Sequence, residues 1–212
     1  MPRHGACYTG TGRSRAAVQL GEKMTRSVRW TSADLELFPD DGKRYEIIDG
    51  ELYVSKQPHL HHQVSCVEVT VALQLWNRET RAGLVIAAPG LIFAEDDDVA
   101  PDVVWISNEG LSTALWPDGK LHAAPELVIE VLSPGPANER RDREAKLKLY
   151  GRRGVREYWI LNWQRREVEV YRRAELTLQL AATLLEGDVL QSPLLPGFAC
   201  PVSELFAGLP TD

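Results

Sequence analysis

The segment Pro125–Tyr150 reads PELVIEVLSPGPANERRDREAKLKLY and supplies a strand, a turn and a helix in succession. Within it, Leu127–Leu132 is a continuous apolar run closed by a Ser-Pro-Gly turn at 133–135, which is typical of a buried strand. Glu130 lies in the middle of this run. Because a carboxylate in an apolar interior is costly unless it is paired or neutralised, Glu130 requires a cation, either a basic side chain or a metal ion.

Asp102 stands in a similar position, because it follows Pro101 and opens the apolar run Val103–Ile106. Two carboxylates on adjacent core strands, without cysteine or histidine motifs beside them, favour a hard, oxygen-preferring ion such as Mg²⁺. Each residue also has a purely structural interpretation. Asp102 alone is consistent with a strand start after proline, and Glu130 alone with a buried glutamate–arginine pair.

The helix predicted from about Glu139 to Gly151 has few apolar residues. With a rotation of about 100° per residue, these residues lie on one side of the helix, and the middle of that side is close to Lys146. These apolar residues are Ala145, Leu147, Leu149 and Tyr150. Asp142 lies on the same side one turn earlier, whereas Lys148 faces water. The water-facing side also carries Arg141, Glu144 and Arg152. A lysine that faces the protein near a buried glutamate can orient a water molecule and offset the charge that develops on a phosphate. The alternative is that Lys146 pairs with Asp142 on the helix surface.

Seven segments between about residue 28 and residue 205 follow one another in the same order as in a known protein family. They are Arg44–Leu52, His62-Gln63, Pro101–Val104, Leu127–Pro134, Asp142-Arg143, Lys146–Tyr150 and Gly154–Ile160. In this order the chain resembles the Uma-type restriction endonuclease family, a branch of the PD-(D/E)XK nuclease superfamily. The resemblance implies an α/β fold, with a restriction-endonuclease-like mixed β-sheet flanked by helices and an N-terminal hairpin.

The resemblance also implies roles for individual residues. Asp102 and Glu130 would bind the metal ion and, together with Lys146, would be catalytic. The superfamily pattern has a lysine two residues after the glutamate, where this chain has Leu132. The Uma branch places its lysine on the following helix, which matches Lys146. The expected accessory residues are Glu46, His62 and Asp142.

The sequence therefore predicts an Mg²⁺-dependent endonuclease, with Mn²⁺ as a possible substitute, that hydrolyses phosphodiester bonds in DNA and pairs as a homodimer. Two other functions stay open at this point. Leu132 in the lysine position favours a catalytically inactive module that binds nucleic acid or protein on the nuclease fold. A hydrolase of small phosphorylated metabolites is the third interpretation.

The composition fits one domain, because 212 residues with 44% hydrophobic content can bury a single core. No apolar segment approaches the length of a membrane span. Three widely spaced cysteines form no metal or disulfide pattern, which favours a reducing cytoplasm. Residues 1–23 are small, polar and basic, and they predict a disordered or weakly ordered arm ahead of a nuclease-like domain at 24–212.

The net charge of −6 argues mildly against non-specific binding of nucleic acid. The basic residues nevertheless concentrate between Arg140 and Arg156, next to the predicted site. The expected phosphate contacts are Arg140, Arg141 and Arg143, and a solvated helix face is the alternative. The acidic run Glu95–Asp98 predicts a solvated turn between two strands.

The remaining patterns place these residues in an architecture. Asp49-Gly50 predicts a two-residue hairpin in which Glu46 lies opposite Tyr53, either near the metal or exposed. Val64–Trp76 fits both strand and helix, and its length favours helix; the three histidines before it predict a surface loop. Strands are predicted at 84–88, 90–94, 102–106, 127–132, 157–161 and 167–172, with a parallel crossover around the helix at 139–152 and a short closing helix at 202–206.

Overall fold

The computed structural model describes Met1 and residues 28–208, so all of the predicted arm after Met1 lies outside the described residues. The strands are β1 (Arg44–Ile48), β2 (Glu51–Ser55), β3 (Gly83–Ala87), β4 (Leu91–Ala94), β5 (Asp97–Val99), β6 (Val103–Ser107), β7 (Leu127–Val131), β8 (Glu157–Asn162), β9 (Glu167–Ala174), β10 (Thr177–Leu185), β11 (Val189–Leu190) and β12 (Cys200–Pro201). The α-helices are α1 (Ser32–Leu35), α2 (Leu60–Thr80), α3 (Asn108–Ala114), α4 (Pro136–Arg140) and α5 (Leu147–Arg153). A π-helical segment, Arg141–Lys146, joins α4 to α5, and a 3₁₀ helix spans Val202–Phe206.

The larger sheet has the strand order β10-β9-β8-β7-β6-β3. Its neighbours pair antiparallel except β7 and β8, which are parallel. The chain passes from β7 to β8 through α4, the π-helical segment and α5, which confirms the predicted strand–helix–strand unit. All six predicted strands are present, while the long strand β10 and the helix α3 were not predicted.

Side chains of this sheet alternate between two cores, because successive residues of a strand point to opposite faces. On β7, Leu127, Ile129 and Val131 belong to the core that includes Val69 and Leu73 of α2. Val128 and Leu132 belong to the other core, which contains Leu149 and Tyr150 of α5. Glu130 lies two residues after Val128 and two before Leu132, so its side chain points to the same, α5 side of the sheet.

The smaller sheet has the order β2-β1-β5-β4 and contains the predicted hairpin. Ile48 pairs with Glu51 and Glu46 with Tyr53, as the sequence predicts. Asp49 and Gly50 have φ values of 54° and 75°. Two successive residues in the left-handed region make a type I′ turn, for which Asp-Gly is a preferred pair.

The segment that begins at Leu60 is a helix of 21 residues, which confirms the helical interpretation of Val64–Trp76. The surface loop predicted for the histidines is wrong. His59 is the N-cap of α2, and His61 and His62 lie in its first turn. His62 is buried, because this turn packs against the sheet where Asp102 offers it a carboxylate partner.

The solvated turn predicted at Glu95–Asp98 is also wrong in its second half. Asp97 and Asp98 are buried and begin β5. The Asp97 carboxylate accepts hydrogen bonds from Arg152, Arg153 and the backbone N–H of Asp49. These hydrogen bonds and ion pairs compensate for the burial of the Asp97 charge. Asp97 therefore connects the hairpin turn to the end of α5.

None of the described helices combines the length and apolar character that crossing a bilayer requires.

Candidate active site

The strand register brings Asp102 and Glu130 side by side. Val103 of β6 pairs with Ile129 of β7, so the next step along this antiparallel ladder places Asp102 opposite Glu130. Residues directly opposite each other point to the same face. Both side chains are almost fully buried, with 6% and 2% exposure.

Lys146 reaches this face from the end of the π-helical segment. Its Nζ lies 2.8 Å from Oε1 of Glu130 and 2.9 Å from Oε1 of Glu46, and all three side chains are buried. The Tyr150 hydroxyl donates to the same Glu130 oxygen at 2.7 Å. Lys146 faces the protein and Lys148 is exposed, as the helical periodicity predicts. Lys146 does not form the alternative surface pair with Asp142.

Glu46 is a member of this cluster, which resolves the question that the hairpin left open. It is 1% exposed, and its Oε1 accepts from the backbone N–H of Ala100 at 3.0 Å in addition to Lys146. Burial by itself raises the pKa of Glu46, but the Lys146 and Arg141 charges outweigh burial and hold the pKa below its usual value. Glu46 is therefore ionised at neutral pH.

Asp102 is held on three sides. Its Oδ2 accepts from the backbone N–H of Val131 at 2.9 Å and lies 3.1 Å from Nε2 of His62, while its Oδ1 accepts from Arg44 at 3.1 Å. Burial alone would raise the pKa of Asp102, but the His62 hydrogen bond and charge, with Lys146 and Arg44, hold the pKa well below its usual range. The carboxylate is fixed in place and negatively charged.

Glu130 differs from its neighbours. Burial, which is opposed by the Lys146 charge and reinforced by the charges of Asp102, Asp142 and Glu46, raises the pKa of Glu130 to about 8. At Lys146 burial lowers the pKa, but the charges of Glu130, Glu46 and Asp142 outweigh burial and raise the pKa, so the ammonium stays charged. The high pKa of Glu130 follows from four carboxyl groups crowded into one buried region, and a cation close to Glu130 would favour its ionised form.

The residues present fit a divalent metal ion. Glu46, Asp102 and Glu130 line one cavity of about 390 Å³, together with Arg44, His62 and Arg141. Three carboxylates that converge on a polar cavity supply the oxygen donors preferred by Mg²⁺ and Mn²⁺. The raised pKa of Glu130 also favours a metal site. Its carboxyl group tends to hold a proton among the neighbouring carboxylates, and a metal ion can bind in place of that proton.

A second group of possible metal ligands overlaps this one. His62, Cys66 and Asp102 each offer one ligand atom within 4.8 Å of the others. Burial raises the pKa of the Cys66 thiol, which disfavours the thiolate that a metal would bind. His62 Nδ1 lies 3.5 Å from the Cys66 sulfur while its Nε2 faces Asp102. The ring therefore links α2 to Asp102 and orients the carboxylate.

Arg141 was expected on the water-facing side of the helix, and this expectation is wrong. Its side chain is 10% exposed and lines the cavity, where it donates to Asp142 and to the Ser55 hydroxyl. In an α-helix Arg141 and Lys146 would point about 140° apart. The π-helical segment has i→i+5 pairing, which widens the turn and brings both cations to the same face.

Asp142 lies next to this cluster without reaching Lys146. Its Oδ1 accepts from Arg141 at 2.9 Å. Its Oδ2 is buried and has no hydrogen-bond partner among the described residues. Burial raises the pKa of Asp142, against the opposing charges of Lys146 and Arg141.

The remaining basic residues of the cationic block have mostly structural partners. Arg143 pairs with Glu139 and Glu169, and its guanidinium is occupied by both. Arg152 and Arg153 pair with Asp97. Arg140 is exposed and lies at the groove between the hairpin and α4. Of the three arginines expected to contact phosphates, Arg141 lies in the cavity, Arg140 lies beside it, and Arg143 is engaged elsewhere.

Two residues of the site were not singled out from the sequence. Arg44 was quoted only as the start of the Arg44–Leu52 segment, and Tyr150 was counted only as an apolar residue. A tyrosine on the same stripe as Lys146 is a usable signal, because a buried hydroxyl needs a polar partner. Arg44 gave no comparable signal, since strand parity alone does not reveal a partner 58 residues away.

His62→Gln is expected to weaken the pH dependence of stability above neutrality. Burial alone lowers the pKa of His62, but Asp102 and Glu130 outweigh burial and raise the pKa. A group with a raised folded pKa stabilises fully below its unfolded value, near about 6.5, and loses this stabilisation as pH rises through the folded pKa. Urea unfolding at about pH 6 and about pH 9 measures the difference. His61→Gln is the control, and equal pH dependence in wild type and His62→Gln would contradict the pairing.

Comparisons with known proteins agree with the architecture. A family model named Uma2 and described as "Putative restriction endonuclease" matches residues 32–203. Among solved structures, this chain is similar to one from Anabaena variabilis ATCC 29413 that is described as "a putative nuclease belonging to DUF820". The two superpose with a TM-score of 0.66 at 16% sequence identity, and the alignment covers 83% of this chain and 97% of that chain. The type IIG restriction endonuclease BpuSI gives a TM-score of 0.38 at 13% identity, with 69% of this chain and 15% of that chain covered. No curated protein matches. The fold is thus a restriction-endonuclease-like mixed sheet flanked by helices.

Proposed function

The chain belongs to the Uma2 family, whose model is described as "Putative restriction endonuclease", and from this premise we propose that it is a metal-dependent endonuclease that hydrolyses phosphodiester bonds in DNA. The observation that supports the proposal most strongly is the convergence of Asp102, Glu130 and Glu46 on one cavity, with the Lys146 ammonium paired to Glu130 and Glu46. A structural ion pair needs only one carboxylate for its ammonium, whereas here three carboxylates from separate segments of the chain line the same cavity.

Asp102 and Glu130 are the proposed ligands of Mg²⁺ or Mn²⁺, with Glu46 as an accessory carboxylate. The bound ion supplies Lewis-acid polarisation of the scissile phosphate. Asp102 is suited to this role because His62, Arg44 and the Val131 N–H fix its orientation. A ligand that is already oriented loses little conformational freedom on binding the ion.

Lys146 is proposed to hold the attacking water and to offset charge on the phosphate. An ammonium has three donors, and Glu130 and Glu46 accept two of them. The third donor is the one proposed to contact the attacking water or a phosphate oxygen. Because its pKa is raised, Lys146 stays protonated and acts through its charge and hydrogen bonds rather than as a base. Asp142 is proposed to position Arg141 and, through its charge, to favour the protonated state of Lys146.

The proposed grip on the phosphates flanking the cut comes from arginines. Arg141 and Arg44 line the cavity, and Arg140 is exposed next to it. A guanidinium matches the geometry of phosphate oxygens and keeps its charge at all relevant pH values. Arg143 would have to leave Glu139 and Glu169 to take part, so its contribution is proposed to be the smallest of the three named from sequence.

Compartment and assembly follow the same proposal. A reducing cytoplasm is supported by Cys66 and Cys200, which are free thiols. Superfamily nucleases that cut both strands of a duplex often act in pairs, so a homodimer is the proposed assembly.

The purified protein is expected to convert supercoiled plasmid to open-circle or linear DNA in the presence of Mg²⁺ or Mn²⁺, and EDTA should stop the reaction. Lys148→Ala is the matched control, because Lys148 is an exposed lysine on the same helix, and its rate should equal that of wild type. Cutting that persists in EDTA, or that persists equally in Asp102→Ala and Lys146→Ala, would mark a contaminant and remove support for the proposal.

The two rival functions give different results in the same assay. An inactive binding module retains affinity for DNA but does not cut it with either metal ion. A hydrolase of small phosphorylated metabolites turns over a phosphodiester dye or mononucleotides and has no affinity for long DNA. The polar arginine-lined cavity, about 390 Å³ in volume, supports a charged phosphate ligand in all three cases.

A further inference from the structure

Helix α2 turns a row of aliphatic side chains away from the protein. Its members are Leu60, Val64, Val67, Val71 and Leu75. Leu60, Val67, Val71 and Leu75 are 61%, 59%, 46% and 59% exposed, and Val64 is partly buried. The core-facing residues of α2, including Val69, Leu73 and Trp76, lie on the opposite side. We call the outward row the α2 stripe.

The α2 stripe is unusual for the outer face of a helix. Spacings of four, three, four and four residues place all five side chains on one line along the helix, about 22 Å long at 1.5 Å per residue. A surface helix normally has polar residues there, and a contiguous exposed apolar patch marks an interaction site. Among the residues that the structure describes, none packs over the whole stripe.

The stripe is self-complementary. Read in either direction it is Leu-Val-Val-Val-Leu. A two-fold interface requires a surface that matches itself after rotation. With two α2 helices antiparallel, Leu60 meets the partner's Leu75, Val64 meets the partner's Val71, and Val67 lies beside its own copy near the axis. This symmetry favours a second copy of the chain over an unrelated protein as the occupant.

Antiparallel pairing of two α2 helices also opposes their helix dipoles, which favours this arrangement. The four residues 209–212 span at most about 14 Å, which is shorter than the stripe, so they cannot cover it.

We propose that the α2 stripe is the interface of a homodimer with antiparallel α2 helices. His62 points to the sheet from the opposite face of α2, so the interface does not involve its contact with Asp102. The proposal does not depend on catalysis, and a protein without nuclease activity would still pair in this way.

Sedimentation velocity at about 1–100 μM tests the interface with the full chain. Wild type is expected to sediment as a dimer, and Val67→Glu and Val67→Lys each as a monomer, with association weakened more than about a hundredfold because a charge is buried at the axis. Leu37→Glu is the control, since Leu37 is 83% exposed and lies outside the stripe. Circular dichroism checks that each variant is folded.

An equimolar mixture of Val67→Glu and Val67→Lys distinguishes a second copy from any other occupant. Opposite charges then meet at the two-fold axis, so the mixture is expected to dimerise although neither variant does alone. A wild-type monomer at every concentration would overturn the proposal. A dimer that survives both single substitutions, or a mixture that stays monomeric, would overturn it as well.

Discussion

Glu130→Gln is expected to lower the rate of plasmid cutting roughly a thousandfold at saturating Mg²⁺. The substitution keeps the shape of the side chain and its hydrogen bond from Tyr150, but it removes the negative charge that is proposed to bind the ion. Loss of the metal removes several kcal/mol of transition-state stabilisation, and about 1.4 kcal/mol corresponds to a tenfold change in rate. Asp102→Asn is expected to have an effect of the same size.

Glu157→Gln is the matched control for this loss. Glu157 is a buried strand glutamate like Glu130, with 1% exposure, and it lies on the neighbouring strand β8. Its partners are Arg172, Trp159 and Ser192, away from the cavity. Its substitution should leave the rate within a few fold of wild type. If Glu130→Gln and Glu157→Gln cut equally fast, Glu130 has no role in the reaction.

Lys146→Met is expected to destabilise the fold by about 3–5 kcal/mol, in addition to abolishing activity. Removing one partner of a buried ion pair leaves uncompensated charge in the interior. Here two carboxylates, Glu130 and Glu46, lose their common counterion. Urea unfolding at about pH 8 measures the loss, and Lys148→Met, which alters an exposed lysine two residues away, should change stability by less than about 0.5 kcal/mol.

The same loss should depend on the charge of Glu130. In the Glu130→Gln background the cost of Lys146→Met should be smaller, because one of the two stranded charges is absent. It should also shrink at about pH 5. Without Lys146 the folded pKa of Glu46 rises above its unfolded value and the pKa of Glu130, already raised, rises further. The penalty of both charges is therefore present at high pH and is relieved as pH falls and the glutamates bind protons. An equal cost in both backgrounds and at both pH values would contradict the ion-pair cluster.

Local patterns were sufficient to predict the central residues of the candidate site. Glu130 interrupts an apolar run, and a charge in that position needs a partner wherever the strand is placed. The hairpin register followed from Asp49-Gly50, because this pair fits the left-handed turn that a two-residue connection requires. Helical periodicity predicted that Lys146 faces the protein and Lys148 faces water, and the burial of Lys146 confirms the orientation.

Other parts of the site depend on geometry that no local pattern contains. Arg141 reaches the cavity because the helix widens into a π-helical segment, and the periodicity of 3.6 residues per turn gives the wrong face for it. Asp97 looked like part of a solvated acidic run, and it is buried because Arg152 and Arg153 arrive from a distant helix. The basic block was correctly located, but most of its charge serves ion pairs within the fold.

Calorimetric titration of Mn²⁺ into the metal-free protein tests the central claim most directly, because it measures ion binding without requiring turnover. Wild type is expected to bind the ion at a site that Glu130→Gln abolishes and Glu157→Gln leaves intact. Equal binding by wild type and Glu130→Gln, or no binding by wild type, would contradict a metal centre built on Asp102 and Glu130.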